Sequence, residues 1–382
     1  MRDLIMHREP NDFDVATDAT PDQIESLFPK CLLVGKAFGV IILPFDGFQI
    51  EVATFREDLQ YKDGRRPEGV KFSTPKADAQ RRDFTINALF YDPIKREIID
   101  FIDGQADIKA KILRTVGDPN HRFDEDKLRL LRAIRFAAQL DFRIEDGTLR
   151  AVETHAKDVS VVSHERIRDE LIKLLKSPNR NIGLELLLST GVLKGAMPEL
   201  ATEIEAKAEE WLRAFAHFQS NSPDDLAALI ALFIWPALEK SPKILPKILK
   251  GFRLDNQLSE AVALVLRHLE VLLNPSTVRK GDLALILTKS FAPSLLLVAD
   301  ALVRAEAVSH ELYDLEAWNE ALKVARPDGV TPVMPLVTGK DLMQMGLTPG
   351  PEIGERLQEI FLLQLEGTLK TRADVEAWIR KN

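Results

Sequence analysis

Cysteine is almost absent from this 382-residue chain, in which Cys31 stands alone. A single thiol excludes an internal disulfide framework and thiolate-built zinc sites, and it fits a reducing compartment. Long apolar runs are missing too. The longest, Leu226 to Trp235, is too short to cross a bilayer and ends at Pro236; the stretch from Leu283 to Val298 is broken by Lys289 and Pro293. The opening MRDLIMHREPNDFD is charged throughout and has no apolar segment of the secretory kind. These absences lead to the expectation of a cytoplasmic protein with no membrane partner. Cationic excess is also lacking: 51 Lys and Arg face 59 Asp and Glu, a formal net charge of −8. That sum bears on solubility and long-range attraction, whereas local basic stripes decide nucleic-acid binding.

Two such stripes are present: Arg129, Arg132 and Arg135 in one segment, and Lys243, Lys247, Lys250 and Arg253 in another. The second reads equally well as a solvated helix face. A hydrophobic fraction of 45% is enough for a sizeable core divided among two to four domains. The first part of the chain reads as mixed α and β. Thr20-Pro21-Asp22-Gln23 predicts a helix start, with Thr20 as N-cap and Gln23 closing a capping box. Residues 40–43 and 48–53 are strand-like around the turn cluster Pro44-Phe45-Asp46-Gly47, and 97–101 is a further short strand. From Gly117-Asp118-Pro119 onward the period becomes helical, through Leu128, Leu131, Ile134 and Ala138, and again through Ile167, Leu171, Leu174 and Leu175, with Ser163 as N-cap. The remainder reads as all-helical, with breaks near 221–223, 274–275 and 326–329.

Three clusters carry chemistry. In Asp12-Phe13-Asp14, carboxylates two apart on a strand share a face and can hold Mg²⁺ against a triphosphate, as in-line nucleotidyl transfer requires. Glu51, opposite Phe48, Ile50 and Val52 in an alternating strand, can complete that set. An Asp-x-Asp triplet also occurs in acidic surface loops and in nucleotide-sugar glycosyltransferases. In Arg81-Arg82-Asp83-Phe84-Thr85-Ile86-Asn87, forked guanidiniums suit phosphate oxygens, while Asp83 and Asn87 suit a ribose hydroxyl. A salt-bridged helix N-terminus is the bland alternative. In Glu125-Asp126-Lys127-Leu128-Arg129, spacing predicts Asp126 beside Arg129 on one helix face, with Arg132 next along. Aspartate accepts and arginine donates. Cytosine and adenine each place an amino donor beside a ring-nitrogen acceptor, so such a pair matches both bases and mismatches guanine and uracil. An ordinary i,i+3 ion pair has the same spacing.

Together the three clusters resemble the class II tRNA nucleotidyltransferases and bacterial poly(A) polymerases. The resemblance covers residues 1 to about 200 and returns in Thr338-Gly339-Lys340-Asp341-Leu342 and Gly346 to Gly354. It implies an α+β protein: a polymerase-β-like nucleotidyltransferase head (1–117, N-terminally truncated), then an all-helical neck (118–200), body (201–330) and tRNA-binding tail (331–382). By similarity Asp12 and Asp14 bind catalytic Mg²⁺ with Glu51 nearby. Arg2 and Arg82 contact the triphosphate, and Asp126 and Arg129 read the base. Arg132 and Arg135 line the nucleotide site, and Asp83 and Asn87 sit near the ribose. Ser163-His164-Glu165-Arg166 resembles the neck motif that supports the base-reading helix, and Glu57 to Phe72 the loop that accompanies the switch from C to A addition. The implied activity is addition of C and A to a tRNA 3′ end from CTP and ATP. Alternatives are a poly(A) polymerase, an A-only tRNA enzyme, or a non-catalytic RNA-binding protein. The last is raised by one departure: relatives place a Gly-Gly pair just before the helix that here begins Met1-Arg2-Asp3, and this sequence lacks it. The expectation is that the true start lies upstream. A lesser departure is Phe101, where relatives have proline after the first aspartate.

Overall fold

The computed structural model describes residues 1–10, 13–45, 48–59, 69–218, 225–238, 245–273, 278–308 and 315–381. Asp12, the Asp46-Gly47 turn, the Asp63–Pro67 loop, Lys243 and the breaks at 221–223 and 274–275 lie outside these residues. The chain divides into two compact units, Met1–Thr202 and Glu203–Asn382.

The first unit opens with α1 (Arg2–Ile5), β1 (Asp14–Thr17) and α2 (Pro21–Leu27), followed by strands β2 (Val40–Phe45) and β3 (Phe48–Thr54). The capping box forms as the sequence predicts: Gln23 N donates to Thr20 Oγ1 at 3.4 Å, and Gln23 Oε1 accepts from Thr20 N at 2.8 Å. The order in the sheet is β1-β3-β2, with β1 parallel and β2 antiparallel to β3. Strand β2 is therefore at an edge, where Pro44 costs no ladder bond. Alternation along β3 turns Val52 inward onto Ile41 and Ile24. Both predicted strands form, but Phe48, expected with the apolar set, is 74% exposed.

The hairpin β4 (Arg56–Asp58) and β5 (Val70–Phe72) leads to α3 (Pro75–Gln80), and a second hairpin pairs β6 (Leu89–Asp92) with β7 (Glu97–Asp100). Helix α4 (Gly104–Ala110) approaches the preceding turn so closely that a Cβ on Gly104 would lie 2.4 Å from the Thr85 carbonyl oxygen. Strand β8 (Ile112–Leu113), α5 (Pro119–Glu125), α6 (Leu128–Leu140) and β9 (Arg143–Ile144) complete the passage to helix. Helix α6 is the axis of this part: Leu130, Leu131, Ile134 and Ala137 are at most 1% exposed, and each large aliphatic side chain so buried contributes ~1.5–3 kcal/mol. Around it run α7 (Asp146–His155), α8 (His164–Leu175), α9 (Arg180–Ser189), α10 (Val192–Ala196) and α11 (Pro198–Glu205). Ser163 occupies the N-cap position of α8 without a side-chain cap bond.

The second unit is helical throughout its described residues: α12 (Ala208–His217), α13 (Leu226–Ile234), α14 (Leu245–Phe252), α15 (Asn256–Leu273), α16 (Lys280–Leu287), α17 (Ala292–Arg304), α18 (Leu315–Ala325), α19 (Gly339–Gln344), α20 (Pro351–Leu365) and α21 (Arg372–Lys381). Fully buried Trp211 donates its Nε1–H to the Phe233 carbonyl at 3.2 Å. Val337, Leu342, Ile360, Leu369 and Val375 form a separate small core. On α14, Ile248, Leu249 and Phe252 face inward and leave Lys247 and Lys250 exposed. Among the described residues no single helix is long and apolar enough to cross a membrane.

Candidate active site

Register fixes the first part of the site. Asp14 stands directly opposite Glu51 on parallel β1 and β3, so the two carboxylates share one side of the sheet. The strand begins at Asp14, so only the last residue of the Asp12-Phe13-Asp14 triplet is seen on it, and Phe13 is exposed. Hard carboxylate oxygens in adjacent positions are the donor set a divalent cation takes.

Asp14 also borders a cavity of about 530 Å³ within the first unit. Its walls are mostly guanidinium and carboxylate: Arg2, Arg81, Arg82, Asp83, Asn87, Asp126, Arg129, Arg132 and Arg166 all reach it. Arg81 and Arg82 follow the C-terminal end of α3, which corrects the alternative that placed them at a helix N-terminus. Both are fastened to buried Asp78.

Asp83 lies between two of these elements. Its Oδ2 accepts from Arg132 Nε and Nη2 at 2.8 and 2.6 Å, and its Oδ1 accepts from Asn87 Nδ2 at 3.1 Å and Phe84 N at 2.8 Å. Arg2 Nη1 in turn donates to Asn87 Oδ1 at 2.8 Å. Burial pushes the Asp83 carboxyl up, but the Arg132 charge and these hydrogen bonds outweigh it and hold the group below the usual carboxylate range. The same pairing raises Arg132 against its own burial. Arg135 is placed differently from the expectation. It is buried, bonded to Glu170 and to Gln139 Oε1, and stacked 3.8 Å over Phe136, and it is not among the cavity-lining residues. Burial pulls its pKa down while Glu170 opposes the shift.

Asp126 and Arg129 do not share one helix as the spacing predicts, and the alternative, an i,i+3 ion pair between them, is not what their side chains form. Asp126 sits in extended backbone between α5 and α6, because its Oδ1 accepts from Leu128 N at 3.0 Å at the mouth of the helix. Its Oδ2 accepts from Arg166 Nη2 at 2.7 Å. Arg129 bonds instead to Glu125 and to the Arg122 carbonyl at 2.9 Å. The acceptor and the donor are therefore each oriented by a partner of their own, and neither neutralises the other. Sequence reasoning missed the holding residues Asp78, Glu125 and Glu170. The first two lie three or four positions from the arginines they hold, a helical spacing that could have exposed them; Glu170 is 35 residues from Arg135 and leaves no local signal.

One other grouping has ligand-like spacing. Candidate donor atoms of Asp124, His155 and Asp158 lie within 4.8 Å of one another. The Lys127 ammonium, 2.6 Å from Asp124 and 3.3 Å from Asp158, already supplies positive charge there.

Paired carboxylates on a small mixed sheet, one of them bordering a cavity of arginines with a donor and an acceptor fixed at one helix mouth, define a nucleotidyltransferase. Residues 1–114 match the family model for the poly A polymerase head domain, 141–204 that for the "RNA and SrmB- binding site of polymerase A", and 222–375 that for tRNA nucleotidyltransferase domain 2. The CCA-adding enzyme of Levilactobacillus brevis is 33% identical over 97% of this chain and 88% of its own length. That of Bacillus licheniformis is 41% identical over 67% of this chain and 63% of its own. The crystal structure of the Bacillus stearothermophilus CCA-adding enzyme in complex with CTP superposes with a TM-score of 0.77 at 27% identity, over all of this chain and 90% of that one. The chain belongs to the family of CCA-adding enzymes. Nucleotidyl transfer in such a family, and the carboxylates of this chain, call for a divalent metal.

Proposed function

We propose that this chain adds C and A to the 3′ end of tRNA without a template, taking CTP and ATP. The observation that carries the reading is the separate fastening of Asp126 and Arg129, which leaves one carboxylate and one guanidinium to face a base together. A fixed acceptor beside a fixed donor accommodates the amino group and ring nitrogen of cytosine or adenine. A carbonyl at the amino position, as in guanine or uracil, would set one acceptor against another at the carboxylate.

The roles follow from placement. Arg2, Arg82 and Arg132 hold the triphosphate, and the ribose lies beside Asp83 and Asn87. Arg135 and Glu170 act from beneath, by fixing α6 against α8. The tRNA 3′-hydroxyl attacks the α-phosphate, the bond to the β-phosphate breaks, and pyrophosphate leaves. Asp12 and Asp14, with Glu51 at their side, would hold Mg²⁺, which when bound would lower the hydroxyl pKa and neutralise the leaving charge. Residues 1–117 serve as head, 118–200 as neck, 201–330 as body and 331–382 as tail. The helical parts grip the tRNA by shape and phosphate contacts, the usual route for structured RNA. The cytoplasm is the compartment in which this reading places the chain.

Extension of tRNA transcripts ending before CCA, and of others ending in CC, with Mg²⁺ and each nucleotide separately, tests it. Addition of C, C and A followed by arrest is expected. Long A tails on unrelated RNA would make the chain a poly(A) polymerase, and A added only to the CC-ended transcript would make it an A-adding enzyme. Binding of tRNA with no incorporation would leave an RNA-binding protein.

A further inference from the structure

Asp78 belongs to none of the three clusters that the sequence singles out, yet it is among the most heavily engaged carboxylates in the described residues. It is 2% exposed, in the first turn of α3. Its Oδ1 accepts from Arg81 Nε at 2.9 Å, Arg81 Nη2 at 2.7 Å and Arg56 N at 3.3 Å, and its Oδ2 from Arg82 Nε at 3.2 Å and Nη2 at 3.0 Å. Two adjacent guanidiniums, which would repel one another and spread into solvent, are thereby turned edge-on to one buried anion. Both still reach the cavity. Arg81 Nε also donates to the Arg56 carbonyl at 3.1 Å, so the base of the β4–β5 hairpin is tied to the same point.

We propose that Asp78 is a positioning residue for the nucleotide: it fixes Arg82 in place before the triphosphate arrives and fastens the β4–β5 hairpin beside it. The inference rests on the nucleotide reading given above. Its physical basis is preorganisation. A long guanidinium side chain held in one geometry has less conformational freedom left to lose when a phosphate oxygen binds. Removing the anion restores that freedom and sets two like charges against each other.

A double-mutant cycle on CTP binding tests the assignment, using Asp78→Asn, Arg82→Ala and the double variant of the full chain. Asp78→Asn is expected to weaken CTP binding by about tenfold, the scale of a lost hydrogen bond to a charged group. The double variant is expected to bind within about twofold of Arg82→Ala alone, because Asp78 acts through Arg82. Asp78→Glu, which keeps the charge and both acceptor oxygens, should fold and weaken binding by only a few fold; it stands in if Asp78→Asn does not fold. Undiminished CTP binding in a folded Asp78 variant, or losses that multiply in the double variant, would overturn the proposal. A wild-type chain that binds no CTP would overturn the nucleotide reading itself, a result distinct from failure of the cycle.

Discussion

Each unit of the molecule holds a cavity, and the two are opposites. The first, of about 530 Å³, is walled by six arginines and a set of carboxylates. The second, of about 880 Å³, is larger and is walled mainly by Leu264, Ile286, Phe291, Val337, Leu357 and Phe361, with Lys289 and His268 as its ionisable groups. Size would select the wrong one. What marks a site for a charged, directional ligand is convergent polar groups whose positions are set by other groups. In the first cavity nearly every functional side chain has such a holder: Asp78 for Arg82, Glu125 for Arg129, Arg166 for Asp126, Asp83 for Arg132. In the second, His268 Nδ1 is bonded to the carbonyl of its own helix at 2.8 Å, and its ring lies 4.9 Å from that of Phe291, an arrangement suited to packing.

The contrast also explains what the sequence could and could not disclose. Local signals translated directly: the Thr20 capping box, the alternation in β3 apart from Phe48 and the apolar period of α6 depend on neighbours within four residues, and each is seen as read. Of the residues that the motifs and the resemblance single out, Arg2, Arg82, Asp83, Asn87, Asp126, Arg129 and Arg132 converge on one cavity. Their pairing was not legible. Spacing of three placed Asp126 against Arg129, but a helix start intervenes at Leu128, and the partner of Asp126 comes from 40 residues further on. The partner of Arg132 is 49 residues back. Such pairs are decided by how α6 packs, and no periodicity encodes them. In the helical second unit the period predicted helices without saying which face meets which, and that face matching builds its cavity.

The largest effect is expected at the sheet. Asp14→Ala removes a carboxylate opposite Glu51 while leaving the cavity arginines in place. Metal-assisted stabilisation of transferring phosphate is worth several kcal/mol, so nucleotide incorporation should fall on the order of a thousandfold. CTP binding in the absence of metal should stay near the wild-type value. Equal loss of binding and turnover would mean that the sheet and the cavity are one binding unit, and the division of labour drawn here would fail.

A smaller effect, read in stability, follows from Arg132→Ala. It strips the charge partner from Asp83, whose side chain is only 10% exposed. A fully buried pair broken in this way costs about 3–5 kcal/mol; because Arg132 is 32% exposed, about 2–3 kcal/mol is expected after solvent screening. The sign with pH is fixed. The folded pKa of Asp83 lies below its ordinary 3.8, so its contribution is present above about pH 4 and is lost as pH falls through the folded value. Without Arg132, burial is opposed only by the Asn87 and Phe84 hydrogen bonds, and the carboxyl moves up. The melting-temperature gap between wild type and variant should therefore be full near neutrality and shrink as pH falls from 5 towards 2. A gap independent of pH would show that Arg132 stabilises through packing on Phe136, over which it lies at 5.3 Å, and not through Asp83.

The smallest effect should come from the second cavity. Lys289 is the fixed positive charge on its lining, and by charge alone it resembles any arginine of the first. If convergence with held partners is what makes a nucleotide site, a lone cation over an apolar surface contributes little to nucleotide recognition, since exposed single charges are worth about 0–1 kcal/mol. Lys289→Ala should then leave the CTP affinity and the preference for CTP over UTP within about twofold of wild type. Its effect on tRNA affinity is a separate readout, expected to weaken with salt if Lys289 meets a phosphate. A CTP affinity that dropped as far as in Arg82→Ala would put nucleotide recognition in the second unit as well, and polarity of lining would no longer separate the two cavities.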